Sequence, residues 1–149
     1  MKYKWKYNLD EVDLGVLSEL YRIAPLGEKT AEDLAVVFDN SRYRCFVYSG
    51  DQLTGAGRAL ADGRDCSYIC DVAVHPEFQG QGLGIAIINK LVEFSKGHKK
   101  IILYTVPGKE AFYNRAGFIK MNTAMAIFED QQQAIELGIL CANEHSLSG

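Results

Sequence analysis

One stretch constrains the fold of this chain more than any other: an apolar run, a glycine-rich turn and an apolar-periodic segment in direct succession. Residues 67–74 read SYICDVAV, apolar on both faces, the pattern of a strand in the middle of a sheet. Pro76 ends the run, and Gln79-Gly80-Gln81-Gly82-Leu83-Gly84 follows. Ile85, Ile88, Leu91, Val92 and Ser95 then recur at helical spacing. Lys96 and Gly97 close that helix, with a cation at its negative end and a terminal glycine. Residues 100–106, KIILYTV, read as a second buried strand. Strand, helix and strand within about forty residues predict a parallel pair with a right-handed crossover.

The flanking segments supply the rest of a sheet. Residues 3–8 alternate aromatic and Lys, which suits a short half-exposed strand. Asp10 or Asp13 can cap a helix carrying Val12, Val16, Leu17, Leu20 and Ile23, and the Ala24-Pro25-Leu26-Gly27 stretch breaks it. Thr30 with Asp33 resembles a capping box for a second helix through Leu34, Val37 and Phe38. Strands at 43–48 and 53–60, separated by turns at 49–51 and 62–65, make a meander leading into 67–74. After the parallel pair we expect a short helix at 108–116 stopped by Gly117, a returning strand at 118–128 and a last helix at 131–140. Residues 141–149 are polar and read as a frayed end.

Composition enters as a set of exclusions. The chain has 149 residues, enough for one domain with its own core, and we expect a single domain over 1–149. A net charge of −3 argues against a nucleic-acid footprint. No apolar run approaches a membrane span, and the N-terminal residues lack a signal-peptide core. Cys45, Cys66, Cys70 and Cys141 form no CxxC pair, and His75, His98 and His145 are scattered, so neither a disulfide scaffold nor a metal site is expected. These features suit a reduced, cytoplasmic protein.

The glycine-rich turn carries the first chemical signal. Glycines at 80, 82 and 84 let the backbone approach a ligand closely, and the amides opening the helix then suit phosphate. The order Gly-x-Gly-x-Gly is neither the dinucleotide fingerprint nor a P-loop. VAVHPEFQGQGLG, residues 72–84, resembles the acyl-CoA-binding motif of the GNAT superfamily of N-acyltransferases: Gln79, Gly82 and Gly84 fall on its Gln/Arg-x-x-Gly-x-Gly/Ala core. GKEAFYNRAGF, residues 108–118, is similar to the same family's Phe-Tyr-x-x-x-Gly-Phe segment.

The resemblance implies a GNAT-like α/β fold, with a central mixed twisted sheet, helices on both faces and central strands that splay apart. It implies acetyl-CoA as co-substrate and no metal. Amides of Gln79, Gly80, Gln81, Gly82, Leu83 and Gly84 would hold the pyrophosphate. The backbone of Val72, Ala73 and Val74 would pair with the pantetheine arm, and Lys109, Phe112 and Arg115 are candidates for touching the coenzyme's tail. Tyr113 would lie near the thioester sulfur, where a phenol can donate a proton to the leaving thiolate.

Asp71 stands inside the apolar strand, so its carboxylate must be paired, hydrogen-bonded or protonated. The run CDVAV resembles that of the glucosamine-phosphate acetyltransferase branch, with Cys70 in place of an acidic residue. Asp71 is thus a candidate to orient an amine or take its proton through water, with a tie between neighbouring loops as the alternative. Arg58 and Arg64 read as surface arginines, with recognition of an anionic group as the alternative, His75 as a loop residue, and Cys45 and Cys70 as buried small hydrophobes. The expected activity is acetyl transfer to a primary amine of a small molecule in a ternary complex. A protein lysine or N-terminal amine, and a non-catalytic acyl-CoA-binding module, are the alternatives. The family likeness also implies a homodimer.

Overall fold

The computed structural model describes residues 2–142, which divide into two compact units, one as far as Leu103 and one from Tyr104. In the first unit the elements run β1 (Lys4–Lys6), α1 (Leu14–Ile23), α2 (Ala31–Asp39), β2 (Tyr43–Ser49), β3 (Gln52–Ala61), β4 (Cys66–Val74), α3 (Leu83–Phe94) and β5 (Lys100–Ile102). The five strands form one sheet in the order β1-β2-β3-β4-β5. The first four are antiparallel neighbours, the expected meander, and β4 and β5 are parallel as the crossover requires.

Local chemistry sets the helix starts. The Asp13 side chain accepts from the N–H groups of Gly15 and Val16, and the Thr30 hydroxyl accepts from Asp33 N–H. Helix α1 turns Leu17, Leu20 and Tyr21 inward and leaves Val16 exposed. With Leu34 and Phe38 of α2 they pack on Phe46, Leu53, Ala56 and Ala73 of the sheet. Helix α3 covers the opposite face. A Cβ on Gly55 would lie 2.8 Å from Ile87 Cδ1, and one on Gly57 would lie 2.9 Å from Ile87 Cγ2. The alternation Gly55-Ala56-Gly57 therefore places a helix on each side of one strand, with glycine where α3 comes closest. Ile87 and Leu83 fill that core more completely than Ile85 and Val92, because α3 is apolar almost all round and its rotation is set by the sheet.

The turn between β3 and β4 is closed by one carboxylate. Asp62 Oδ1 accepts from Arg64 N–H at 2.8 Å, Asp65 N–H at 2.7 Å and Cys66 N–H at 3.2 Å. These bonds pull its pKa down to about 2. His98 joins the turn to the end of α3: its Nε2 accepts from Gly63 N–H at 3.0 Å, and its Nδ1 lies 2.8 Å from Ser95 C=O. Lys100 pairs with Asp65 at 2.8 Å beside the first rung of the β4–β5 ladder.

Two expected strands differ from what is found. The strand expected at 100–106 is only β5, Lys100–Ile102. The segment expected to return as a strand at 118–128 is not one. A strand exists through its ladder, and no described segment pairs with 118–128, whatever its composition. That segment leaves Ile119, Met125 and Ile127 exposed. The second unit instead holds two short helices, α4 (Glu110–Asn114) and α5 (Gln131–Glu136), both shorter than expected. Gly117 and Gly138, at φ 95° and 78°, end them in left-handed turns. The end expected to fray lies largely outside the described residues. No described helix is long and apolar enough to cross a membrane, and the four cysteines are free.

Two outcomes follow. Gly57→Val should lower the unfolding free energy by about 1–3 kcal/mol, read from urea denaturation, because its side chain would meet Ile87, Leu91 and Val72. Asp62 has a depressed folded pKa, so its contribution to stability is present above its ordinary 3.8 and is lost as pH falls towards about 2. Asp62→Asn should flatten that acid limb in a stability-against-pH series.

Candidate active site

Strand β4 changes character halfway along. Its first three residues, Cys66, Ser67 and Tyr68, pair with β5. Beyond them no described strand pairs with that edge, although β3 continues to pair with the other edge as far as Val74. The opening expected between the two central strands is therefore present as an unpartnered edge over residues 69–74. A β-bulge sits at this point. Ala56 pairs with Ala73 and Arg58 with Cys70, so Gly57 alone faces Asp71 and Val72. Asp71 takes φ 55°, the left-handed region that Asp tolerates better than most residues. The extra residue shifts the alternation. Ser67 points to α3, where its hydroxyl lies 2.7 Å from that of Ser95. Past the bulge Val72 faces α3 and Ala73 joins the α1–α2 core.

Three side chains hold Asp71. Tyr21 O–H donates to its backbone carbonyl at 2.6 Å. Arg58 Nε donates to Oδ2 at 2.8 Å, while another guanidinium nitrogen of Arg58 donates to the Ser41 hydroxyl at 3.2 Å. Lys29 Nζ lies 3.5 Å from Oδ1. The three charged side chains are largely enclosed, with 20% of Asp71, 13% of Arg58 and 28% of Lys29 exposed. Asp71 is therefore paired, as a buried carboxylate requires. Burial, reinforced by the Asp71 charge, drives the Tyr21 phenol well above its ordinary pKa, so it remains a donor. Burial also pushes the Cys70 thiol up to about 11, away from nucleophilic thiolate character. Arg58 is thus part of this cluster rather than a surface arginine. Tyr21 is not among the sequence-derived candidates. Tyr21 carries one signal that finds it: it shares an i, i+4 face with Leu17.

Beyond Val74 the chain makes a 3₁₀ turn at Pro76–Phe78, with His75 as its cap: the His75 ring accepts from Glu77 N–H at 3.1 Å. The Gln79 amide then donates to Val74 C=O at 3.0 Å and to Ala24 C=O at 3.3 Å. Tyr3 O–H donates to the Gln81 side chain at 3.0 Å. Gly80 and Gly82 have φ 80° and 83°, and a Cβ on either would meet open space. Gly82 caps α3 without a side chain, unlike Asp13 of α1 and Thr30 of α2. The first-turn amides of α3 have no intrahelical acceptor and no capping oxygen, so they are available to an external anion. This cradle fits a pyrophosphate. Leu83 is buried and can contribute only its backbone amide.

In the second unit Lys109 precedes α4, and Phe112 and Tyr113 lie side by side on it with rings 5.0 Å apart. The Arg115 guanidinium lies 5.4 Å from the Phe112 ring centre. Phe118 N–H donates to Tyr113 C=O and Gly117 N–H to Asn114 C=O, a Schellman turn closed by Tyr113 packing on Phe118 at 6.3 Å. The motif spacing Tyr-x-x-x-Gly-Phe is thus the spacing of this turn. Burial raises the Tyr113 phenol above its ordinary pKa, opposed by a hydrogen bond with Thr105. It is protonated at neutral pH.

Comparison with known proteins adds independent findings. Residues 14–118 match the acetyltransferase (GNAT) family. The chain is 36% identical over 74 residues, 48% of its length, to an uncharacterized N-acetyltransferase, ycf52, of Pyropia yezoensis, and covers 42% of that protein. It is 30% identical over 131 residues to the chloroplastic serotonin N-acetyltransferase 2 of Oryza sativa subsp. japonica, a match spanning 82% of this chain and 66% of the relative. The chain thus spans between two fifths and two thirds of these relatives' length. A structure of a probable acetyltransferase from Staphylococcus aureus superposes with a TM-score of 0.75, at 24% identity, over 85% of this chain and 99% of that one.

Gly82→Asp should abolish acetyl-CoA binding by placing a negative charge at the α3 N-terminus, while Gly82→Ala, which adds only backbone strain, should weaken it far less. Equilibrium binding of acetyl-CoA reads both. The matched residues and the superposed fold show that the chain belongs to the GNAT acetyltransferase family.

Proposed function

We infer that this chain transfers the acetyl group of acetyl-CoA to a primary amine of a small molecule by direct attack within a ternary complex. The observation that carries this reading is one run of backbone in the first unit. The unpartnered β4 edge over residues 69–74 leads through Gln79 into the uncapped N-terminus of α3. An extended amide-bearing arm suits the first part, by adding to a sheet edge, and a pyrophosphate suits the second. The coenzyme supplies the activated acetyl group; this chain's residues bind it and handle protons. Backbone amides including that of Val74 are assigned to polarising the thioester carbonyl. Asp71 is assigned to the amine, orienting it or taking its proton through water. Tyr113 is assigned as proton donor to the departing thiolate, a role supported by its match to the family motif and by its protonated phenol.

A relative named for serotonin supports a small amine as acceptor. A homodimer and a cytoplasmic location, expected from the sequence, belong to the same proposal.

Release of CoA thiol, measured across polyamines, aryl-alkylamines, amino sugars, amino acids and short Lys peptides, tests the reading. One amine class should give release. Tyr113→Phe should lower kcat for it by about ten- to a hundredfold and leave acetyl-CoA affinity unchanged. An unchanged kcat removes Tyr113 from the chemistry, and no release with any amine overturns the proposed transfer.

A further inference from the structure

The two oxygens of Asp71 are held differently. Oδ2 is tied to Arg58 at 2.8 Å, and Arg58 is anchored in turn on the buried Ser41. Oδ1 faces the Lys29 ammonium at 3.5 Å, longer than the roughly 2.7–2.9 Å of a close charged hydrogen bond. The same ammonium lies 5.6 Å from the centre of the Tyr21 ring, within cation–π range. One carboxylate oxygen and one aromatic face together make a recognition set for a primary ammonium ion. Tyr21 is buried, and the Lys29 ammonium lies against both members of that set.

The position of the set matters as much as its composition. Asp71 immediately precedes Val72, Ala73 and Val74, the edge assigned above to the coenzyme arm. Lys29 belongs to the loop between α1 and α2, which also touches the phosphate turn through the Gln79 bond to Ala24 C=O. The loop backbone is fastened independently of the Lys29 ammonium. The Ser18 hydroxyl donates to Lys29 C=O at 2.5 Å, and Leu26 N–H donates to Tyr21 C=O at 2.7 Å. The ammonium can therefore leave Oδ1 without the loop losing those ties.

We propose that Asp71 Oδ1 and the face of Tyr21 form the acceptor's ammonium subsite, which Lys29 occupies as an internal surrogate until the acceptor displaces it. This rests on the acetyl-transfer reading and names its substrate class: a primary amine carried on a methylene group, as the lysine nitrogen is. Amines borne on a branched ring carbon, such as amino sugars, fit the subsite less well. Arg58 is a positioning residue in this arrangement, since it fixes the carboxylate so that Oδ1 faces the site.

Binding of n-butylammonium, a mimic of the lysine tip, tests the subsite without acetyl-CoA or turnover. Calorimetry should show Lys29→Met binding it about tenfold more tightly than the wild type, the factor expected if Lys29 fills the site about nine-tenths of the time. Adding Asp71→Asn to that variant should remove the gain, and tetramethylammonium should bind neither protein. Should Lys29→Met fail to fold, the wild type still decides. The side-chain ¹⁵N resonance of Lys29 should move on titration with n-butylammonium and stay fixed with tetramethylammonium. Equal affinity in wild type and Lys29→Met, or a Lys29 resonance indifferent to n-butylammonium, overturns the proposal. Failure of the transfer reading shows separately, as absence of CoA release from every amine while n-butylammonium still binds. Release with amino sugars but not with methylene-borne amines overturns the substrate class.

Discussion

The site depends on a single distorted residue, Asp71, held in a left-handed conformation in the middle of the central strand. Such a conformation costs on the order of 1–3 kcal/mol and persists only where its surroundings determine it. Here they do. Tyr21 from α1 takes the backbone carbonyl, Arg58 from β3 takes one carboxylate oxygen, and Lys29 from the α1–α2 loop faces the other. Gly57 on the partner strand leaves room where two residues oppose one. The strand is thereby split into a half that belongs to the parallel ladder and a half whose edge is free. Without the bulge Ala73 and Val72 would exchange faces, and the α1–α2 core and the α3 core would each receive the wrong side chain.

Helix α3 connects the two halves of this design. Gly55 and Gly57 let it lie close on β3, and the Ser67–Ser95 pair fixes its far end against β4. Its near end is left without a capping side chain, which is destabilising for an isolated helix and leaves its first-turn amides open to an external acceptor. Gln79 and Tyr3 shape the turn leading into it with side-chain bonds that leave the first-turn amides of α3 alone.

Much of this was legible in the sequence, for local reasons. The meander, the three long helices, the Asp13 and Thr30 caps and the parallel pair all follow from periodicity and capping residues. Two of the three glycines of the turn, Gly80 and Gly82, are left-handed, and the Phe-Tyr-x-x-x-Gly-Phe spacing is a Schellman turn written in residues. What could not be read is non-local. Nothing in SYICDVAV marks a one-residue bulge. Nothing local to Arg58 shows that its partner stands 13 residues away on the next strand. The segment 118–128 has the composition of a strand, and β5 stops at Ile102, because ladder partners decide strands and composition does not. The apolar stripe read from Val12, Val16, Leu17, Leu20 and Ile23 omits Tyr21, because the buried face of α1 is rotated away from Val16.

The Asp71 cluster also shows why a buried ion pair should not be read as a stability device. Pairs this enclosed contribute little net free energy, because desolvation offsets their attraction, and well-packed apolar residues often serve as well. A strand needing only stability here would carry a third valine beside Val72 and Val74. A valine, however, would not tolerate φ 55°, would give Arg58 nothing to hold and would present no oxygen to an ammonium. The carboxylate combines backbone geometry with a fixed charge on the half of the strand whose second edge no described strand pairs with.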